Sequence, residues 1–313
     1  MIIREGTSSD TKEIISVLKA SLGESKLPKT EEIWQFKHFD NPFGKSLILL
    51  AEEDDKIVGV RAFMRWQWQM GNKVFSAYRA VDTATHPNYQ GKGIFKNLTL
   101  RALEIAKENG DHFIFNTPNS QSLPGYIKMD WKKVNKLKVH LAPVNPINFI
   151  RSKKDHQYFI QKNRNESSFD ELVRNFNAIN ASRPELFSVK SSEYLAWRYE
   201  NNPLQKYDVR SDDDFYLATY IKKHKKFNEL RIVEQIYIDK KGLKKLNDEI
   251  KLLTKNLNVH VITNSKKLPN ILQLSGNLGP ILTLRNLNFD KAMNDELLDL
   301  NNWNYTIGDL ELF

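Results

Sequence analysis

The chain has 313 residues, no cysteine, and 47 Lys and Arg against 38 Asp and Glu, which gives a net charge of +9. The absence of cysteine excludes disulfide frameworks, thiolate metal sites and a cysteine nucleophile. The length favours two domains, since one domain averages roughly 150 residues, although one large α/β domain is also compatible with it. A hydrophobic content of 40% with 11% aromatic residues is enough for a packed core and argues against global disorder.

No targeting segment is expected. The first residues show no charged head followed by an apolar stretch, so they do not predict a secretory signal. No run approaches the ~18 apolar residues that a membrane span needs. We therefore expect a cytoplasmic protein without a membrane partner. The positive charge suits an acidic partner, but no nucleic-acid reader motif is present, and a nucleic-acid partner is not expected.

The first third of the chain alternates between strand and helix patterns. A strand is predicted over residues 1–6, a helix over 8–22, a second helix from Thr30 to about 40, and a buried strand over 47–51. Each helix follows a Ser, Thr or Asp that can cap its first turn. This alternation is typical of folds that mix helices with a sheet.

A long strand is predicted over residues 57–70. Apolar residues occupy every even position of this stretch, and polar residues occupy most odd positions from Arg61 onward. Such alternation predicts one buried face and one wetter face. Gly71-Asn72 is a hairpin signal, and the return strand is predicted over 74–85.

The segment after the return strand carries the clearest chemical signal. Residues 83–95 read Thr-Ala-Thr-His-Pro-Asn-Tyr-Gln-Gly-Lys-Gly-Ile-Phe: a strand end, a glycine-containing turn and the start of a helix. Backbone N–H groups, the helix dipole and Lys92 would together favour a phosphate or pyrophosphate there. Gly91 and Gly93 leave room for close backbone approach. Two glycines before a helix are also an ordinary strand-to-helix connector, and the Walker and dinucleotide fingerprints are absent.

The motif Gln90-x-x-Gly93, which opens a helix after a strand, resembles the acyl-CoA signature Gln/Arg-x-x-Gly-x-Gly/Ala of the GNAT superfamily of N-acyltransferases. Phe95 stands where that signature has a small residue. Residues 126–131, Tyr-Ile-Lys-Met-Asp-Trp, resemble the family's Tyr-x-x-Leu-Gly-Phe segment, with Asp130 in place of glycine. The order of strands and helices before the motif is also similar, and the resemblance covers about residues 1–140.

A weak internal repeat suggests that the fold occurs twice. The repeated groups are Trp34-Gln35-Phe36 with Asn41-Pro42, and Trp197-Arg198-Tyr199 with Asn202-Pro203. The resemblance then implies an α/β (α+β) protein with two GNAT-like domains, each a central mixed, mostly antiparallel sheet flanked by helices. We predict an N-terminal acetyltransferase domain over 1–142, a connecting segment over 143–185, and a degenerate GNAT-like domain over 186–313 that has lost the acyl-CoA motif.

The resemblance implies acetyl-CoA as the cosubstrate and no metal. Backbone groups of the last strand residues would bind the pantetheine arm, the loop after them would hold the pyrophosphate, and an asparagine follows the fifth strand in many members. The cofactor-binding residues implied in this way are Thr83, Ala84, Thr85, Gln90, Gly91, Lys92, Gly93, Ile94, Phe95 and Asn119.

Amine acetylation needs a neutral nucleophile, an acid for the leaving thiolate and an oxyanion donor. By resemblance Tyr126 is the candidate acid, and it could instead be a core tyrosine. Asp82 is the candidate base, with a salt-bridged strand residue as the alternative. Asn116 and Ser122 could contact the acceptor. Trp66 could line its pocket or simply belong to the core.

The predicted function is transfer of an acetyl group from acetyl-CoA to a primary amine of a small molecule, such as an amino sugar or similar metabolite. Direct transfer without a covalent enzyme intermediate agrees with the absence of cysteine. A Fem-type aminoacyltransferase that uses aminoacyl-tRNA is an alternative, as is a module that binds CoA or a partner without catalysis. The expected partner is the small-molecule amine, and homodimer formation is left open.

Overall fold

The computed structural model describes residues 1–23, 28–144, 156–257, 259–269 and 271–310. The chain forms two compact units. The first comprises Met1–Trp68, Lys73–Asn135 and Ile281–Leu300, and the second comprises Gln69–Asn72, Lys136–Pro280 and Asn301–Phe313. This division differs from the predicted boundaries, because residues 281–300 belong with the N-terminal unit. The proposal of a duplicated fold stays a prediction.

The first 136 residues supply most of the first unit. Its elements are β1 (Ile2–Glu5), α1 (Thr11–Leu22), α2 (Glu31–His38), β2 (Leu47–Glu53), β3 (Lys56–Met70), β4 (Lys73–Thr85), α3 (Ile94–Glu108), β5 (Phe113–Asn116), α4 (Leu123–Lys128) and β6 (Lys132–Lys136). The strands and helices predicted for residues 1–85 are confirmed, with ends that differ by a few residues.

The remaining elements follow in the second half of the chain. They are β7 (Val139–Pro143), β8 (Ile160–Asn163), α5 (Glu166–Ala181), β9 (Leu186–Ser188), α6 (Ser192–Leu195), β10 (Asp208–Asp212), β11 (Phe215–Lys223), β12 (Asn228–Tyr237), α7 (Lys240–Asn256), β13 (Val261–Asn264), β14 (Leu274–Gly276), β15 (Ile281–Asn286), α8 (Lys291–Leu297), β16 (Trp303–Asn304) and α9 (Ile307–Leu310). A π-helical turn, Ala196–Glu200, follows α6.

The two units are built on separate main sheets. The strands of the first unit run in the order β1-β2-β3-β4-β5-β15-β6, and those of the second in the order β14-β7-β13-β12-β11-β10-β8. Both sheets are mixed and mostly antiparallel, and helices flank them, so the predicted fold class is confirmed. None of the helices in the described ranges is long and apolar enough to cross a membrane.

The sequence predicts a single strand over residues 131–139, but the structure has two strands there, in different sheets. The ladder breaks because the Leu137 backbone N–H donates to the Pro280 carbonyl at 2.9 Å, and the Lys138 N–H donates to the Tyr305 hydroxyl at 2.8 Å. The sequence also predicts a helical stretch near residues 149–161. Residues 145–155 lie outside the described ranges, and the end of that stretch belongs to β8, which pairs in parallel with β10.

The long strand β3 is buried on both faces through its first half, so the predicted wetter face is wrong there. Arg61 and Phe63, at odd positions, are fully buried. The cause is tertiary: helix α3 covers this face so closely that a Cβ on Gly59 would lie 2.6 Å from a methyl carbon of Ile94. A central strand covered by helices loses its exposed side whatever its sequence period.

The pairing of β4 with β5 ends well before β4 does. Their parallel register joins Ala77, Tyr78 and Arg79 to Phe113, Ile114 and Phe115. Strand β4 then continues to Thr85, whereas β5 ends at Asn116. No register pair joins β5 to the last six residues of β4. The far end of β4 therefore has a backbone edge that β5 does not use.

Candidate functional site

The glycine turn lies between the end of β4 and the start of α3. His86 precedes a short 3₁₀ turn, Pro87–Tyr89, and its Nδ1 accepts from the Asn88 backbone N–H at 3.4 Å. Gly91 and Gly93 have φ values of 80° and 76°, in the left-handed region that glycine adopts without strain. A Cβ at either position would have no heavy atom within 4 Å. These glycines therefore serve the turn's conformation and leave open space beside the first turn of α3.

The polar side chains of this turn are exposed. The Lys92 side chain is 53% exposed, its Nζ lies 3.5 Å from Glu53 Oε1, and it lies 4.7 Å from the centre of the Tyr89 ring. Gln90 Nε2 donates to the Thr85 carbonyl at 3.3 Å, which ties the turn to the strand end. An exposed ion pair is weak, so Lys92 can exchange Glu53 for an anion bound at the start of α3. Ile94, the first residue of this helix, is buried.

The last residues of β4 contact strand β3. Thr83 Oγ1 donates to the Val60 carbonyl at 3.3 Å, and the Ala84 side chain is buried. Beyond Arg79 this strand has no register pair with β5, and the Thr85 carbonyl accepts from the Gln90 side chain. The structure thus brings together the predicted strand end, the turn and the start of α3.

Tyr126 lies on α4 against the first turn of α3. Its ring packs edge-on against Phe95, with centroids 5.9 Å apart, and against Trp131 at 5.1 Å. The Tyr126 hydroxyl accepts from Arg61 NH2 at 2.9 Å. Phe95, where related motifs have a small residue, therefore fills space beside this tyrosine. The Tyr126 ring is buried and its hydroxyl has a charged donor, and its role as the acid stays a prediction.

The turn that leads into α4 is organised by Asn119. Its Oδ1 accepts from the backbone N–H of Gln121 at 3.0 Å, from that of Ser122 at 2.9 Å, and from the Ser122 hydroxyl at 3.0 Å. Asn119 and Ser122 thus hydrogen-bond to each other, and these bonds fix the start of the helix that carries Tyr126.

Two predicted acceptor residues lie in the interior. Asn116 is buried, and its Oδ1 accepts from the Thr283 hydroxyl of β15 at 2.5 Å. Trp66 is buried between Phe43 and Phe115, with ring centroids at 5.3 Å and 6.1 Å. These contacts favour core roles for both residues over contact with an acceptor.

Asp130, in place of the expected glycine, has φ of 68°. The left-handed conformation explains why glycine suits this position, and Asp is one of the few other residues that tolerate it. The carboxylate forms ion pairs with Lys132 and Arg285, both at 2.7 Å. The substitution therefore keeps the backbone turn after Tyr126.

Asp82 is held by two residues of α2. Its Oδ2 contacts Lys37 Nζ and lies 3.0 Å from His38 Nε2, while His38 Nδ1 lies 2.8 Å from the Ser46 hydroxyl. Burial acts to raise the pKa of Asp82, but the Lys37 charge and the His38 hydrogen bond outweigh it and hold that pKa well below its usual range. Protonating Asp82 would break its ion pair with Lys37, so this arrangement makes it a poor base.

The His38 ring is fully buried against Trp34, with centroids 3.9 Å apart. Burial lowers the pKa of His38, and the hydrogen bond to Asp82 opposes this without reversing it. In the unfolded chain His38 takes up a proton below about pH 6.5. The folded form resists that proton, so the stability it contributes is complete above pH 6.5 and is lost as the pH falls toward the folded pKa.

We therefore expect His38→Gln to flatten the fall in stability between pH 7 and 5. The measurement is the free energy of unfolding by urea at several pH values, with the native chain as reference. Below pH 3.8 both proteins should still lose stability, because the lowered pKa of Asp82 acts there. An unchanged slope between pH 7 and 5 in the variant would contradict the assignment.

Sequence reasoning missed Arg61, Lys37 and His38 as parts of this site. The strand period places Arg61 on the wetter face, although its neighbours Val60 and Ala62 are apolar. A charged residue inside an apolar strand run was the available signal. Nothing in the local sequence marked Lys37 and His38, because their partner Asp82 comes from a distant strand.

Comparison with known proteins gives the class of the N-terminal part of the chain. Residues 2–134 match the family model described as "Acetyltransferase (GNAT) domain". This part of the chain is therefore a GNAT acetyltransferase domain, and the protein is an acyltransferase enzyme. No curated protein matches the chain.

Solved structures share the fold over most of the chain. A probable N-acyltransferase from Enterococcus faecalis V583 is 12% identical with a TM-score of 0.66, covering 91% of this chain and 72% of its own. A GCN5-related N-acetyltransferase from Anabaena variabilis is 13% identical with a TM-score of 0.62, covering 92% and 73%. One from Kribbella flavida is 11% identical with a TM-score of 0.62, covering 91% and 71%. At these identities the likeness concerns the fold.

Proposed function

We propose that this acetyltransferase moves an acetyl group from acetyl-CoA to a primary amine of a small molecule, such as an amino sugar or similar metabolite, by direct transfer. The observation that carries the proposal is that the end of β4, which β5 does not pair with, leads into an open glycine turn at the start of α3. The end of β4 suits an extended arm that contains amides, and the glycine turn suits a pyrophosphate.

The residues of the site fit acetyl-CoA in its two parts. The edge of Thr83 to Thr85 can exchange backbone hydrogen bonds with the pantetheine amides, as an added strand would. The glycine turn leads into the N-terminus of a 15-residue helix, where the free N–H groups and the helix dipole favour phosphate. Lys92 adds a mobile positive charge beside them.

The leaving thiolate needs a proton donor, and Tyr126 is the candidate. Transfer releases a thiolate, whose protonation removes the driving force for the reverse reaction. Arginine has no acceptor atom, so the Tyr126 hydrogen cannot be donated to Arg61 and remains available for another oxygen or for sulfur. This hydrogen-bond polarity supports Tyr126 as the acid.

Binding and turnover test the proposal separately. Calorimetry should show acetyl-CoA binding with free CoA as a competitor, and a panel of small primary amines should then release CoA thiol in the presence of the protein. Absence of binding at high micromolar acetyl-CoA would overturn the proposal. Binding without thiol release for any amine of the panel would leave a CoA-binding module as the better description.

We expect Tyr126→Phe to lower kcat by about 100-fold, the usual contribution of one positioned acid, and to leave acetyl-CoA affinity unchanged. The ring and its packing on Phe95 and Trp131 are kept, so only the hydroxyl is lost. Steady-state kinetics and calorimetry on the same preparation check both parts. A kcat equal to that of the native enzyme would remove the acid role.

A further inference from the structure

Arg61 is a buried cation without a carboxylate partner. It is fully buried in the middle of β3, and no Asp or Glu of the described residues forms an ion pair with it. Its NH2 donates to the Tyr126 hydroxyl at 2.9 Å and its NH1 to the Val81 carbonyl at 3.3 Å. Its Nε has no hydrogen-bond partner in the described ranges.

Aromatic rings surround the guanidinium. Its central carbon lies 4.7 Å from the centre of the Phe63 ring, 5.5 Å from that of Phe95 and 5.3 Å from that of Tyr126. Ring faces attract a cation, but they do not neutralise it. Because arginine stays protonated in proteins, this site holds a full positive charge that is costly to bury. A cation in this position can stabilise a negative charge that forms during only part of a reaction cycle.

We propose that Arg61 is a positioning residue for Tyr126, and that its charge stabilises the negative charge that the Tyr126 oxygen acquires when it protonates the leaving thiolate. The inference rests on the proposed function. In this step the acetyl C–S bond breaks, the acetyl–N bond forms, and sulfur leaves with the electron pair. The Tyr126 proton moves to sulfur, and the phenolate oxygen keeps its electron pair 2.9 Å from Arg61 NH2. The proton released by the acetylated amine restores the phenol through solvent.

Arg61 also joins two elements of the site. Val81 lies on β4 directly before Asp82 and just before the strand end that would bind the pantetheine arm. One guanidinium thus fixes the Tyr126 hydroxyl relative to the backbone of β4. The position of the acid relative to the thioester depends on this link.

A double-mutant cycle tests the inference. Arg61→Met should lower kcat about 10- to 100-fold in the native background, with KM for acetyl-CoA changed by less than about threefold. In the Tyr126→Phe background the same substitution should lower kcat by less than about threefold, because the oxygen it serves is gone. Arg61→Lys should recover part of kcat, since it restores the charge but not the planar fork.

Arg79→Met is the matched control. Arg79 is equally buried on the neighbouring strand and donates to the Thr117 hydroxyl at 3.2 Å, away from Tyr126. Its substitution should lower the melting temperature in both backgrounds without any coupling to Tyr126. Equal falls in kcat for Arg61→Met in the two backgrounds would show a purely structural role and overturn the proposal.

The outcome stays decisive if Arg61→Met does not fold. Arg61→Lys keeps the charge, and its effect on kcat in the native and Tyr126→Phe backgrounds then makes the same comparison. A native enzyme that releases no thiol from acetyl-CoA would overturn the proposed function and this inference with it. An active enzyme with additive Arg61 and Tyr126 effects would overturn the inference alone.

Discussion

Gly93→Asp is expected to weaken acetyl-CoA binding by at least about 100-fold. The position has φ of 76° and open space where its Cβ would be, beside the N–H groups that we assign to the pyrophosphate. A carboxylate about 4 Å from a phosphate charge costs roughly 4 kcal/mol at an effective dielectric of about 20, and each 1.4 kcal/mol is about tenfold in affinity. Calorimetry on folded protein measures the effect.

Gly110 provides a control with a matched backbone. It has φ of 78° and equally open space, but it lies beyond the other end of α3. Gly110→Asp therefore carries similar backbone strain and the same added charge and should keep the native affinity for acetyl-CoA. Gly93→Asn, which has the shape of aspartate without its charge, should fall between the two. Equal loss of affinity in the Gly93 and Gly110 variants would show that the turn is not the phosphate site.

The parts of the fold that could be predicted from sequence are those set by local rules. The α3 helix follows from its apolar stripe, and its start follows from Gly93, which is the residue before Ile94 and has a left-handed φ. Tyr126 and the turn at Asp130 were found because their spacing resembled a known motif. Each of these depends on residues close together in the chain.

The parts that could not be predicted depend on distant contacts. Strand β15 comes from residues 281–286, yet it pairs with β5 through Thr283 and Asn116. The hydrophobic periodicity of neither segment predicts that the two strands pair. The same holds for Asp82, whose role depends on Lys37 and His38 in α2, and for Arg61, whose burial depends on α3. The sequence places such residues on an element, and the tertiary contacts decide what they do there.

The second unit contains a buried ionic cluster whose disruption should have the largest effect on stability. Lys190 Nζ lies 2.6 Å from Asp309 Oδ1 and 2.8 Å from Glu234 Oε2, and all three side chains are almost completely buried. Burial acts to lower the pKa of Lys190, but Asp309 and Glu234 outweigh it and raise that pKa above its usual value. Burial also raises the pKa of Glu234, against the opposing effect of Lys190. The cation is therefore what allows two carboxyl groups to be buried side by side.

Lys190→Met should lower the free energy of unfolding by about 3–5 kcal/mol, because it leaves buried carboxylates without their cation. Lys241→Met is the control, since Lys241 contacts Asp214 at 2.8 Å with 67% of its side chain exposed, and losing such a pair costs about 0–1 kcal/mol. Urea unfolding at pH 7 compares the two variants. The Lys190→Met/Glu234→Gln double variant should lose less than the sum of its single variants, because the amide removes one of the charges that the missing cation would leave uncompensated. A Lys190→Met protein as stable as Lys241→Met would show that the buried cluster does not need its cation.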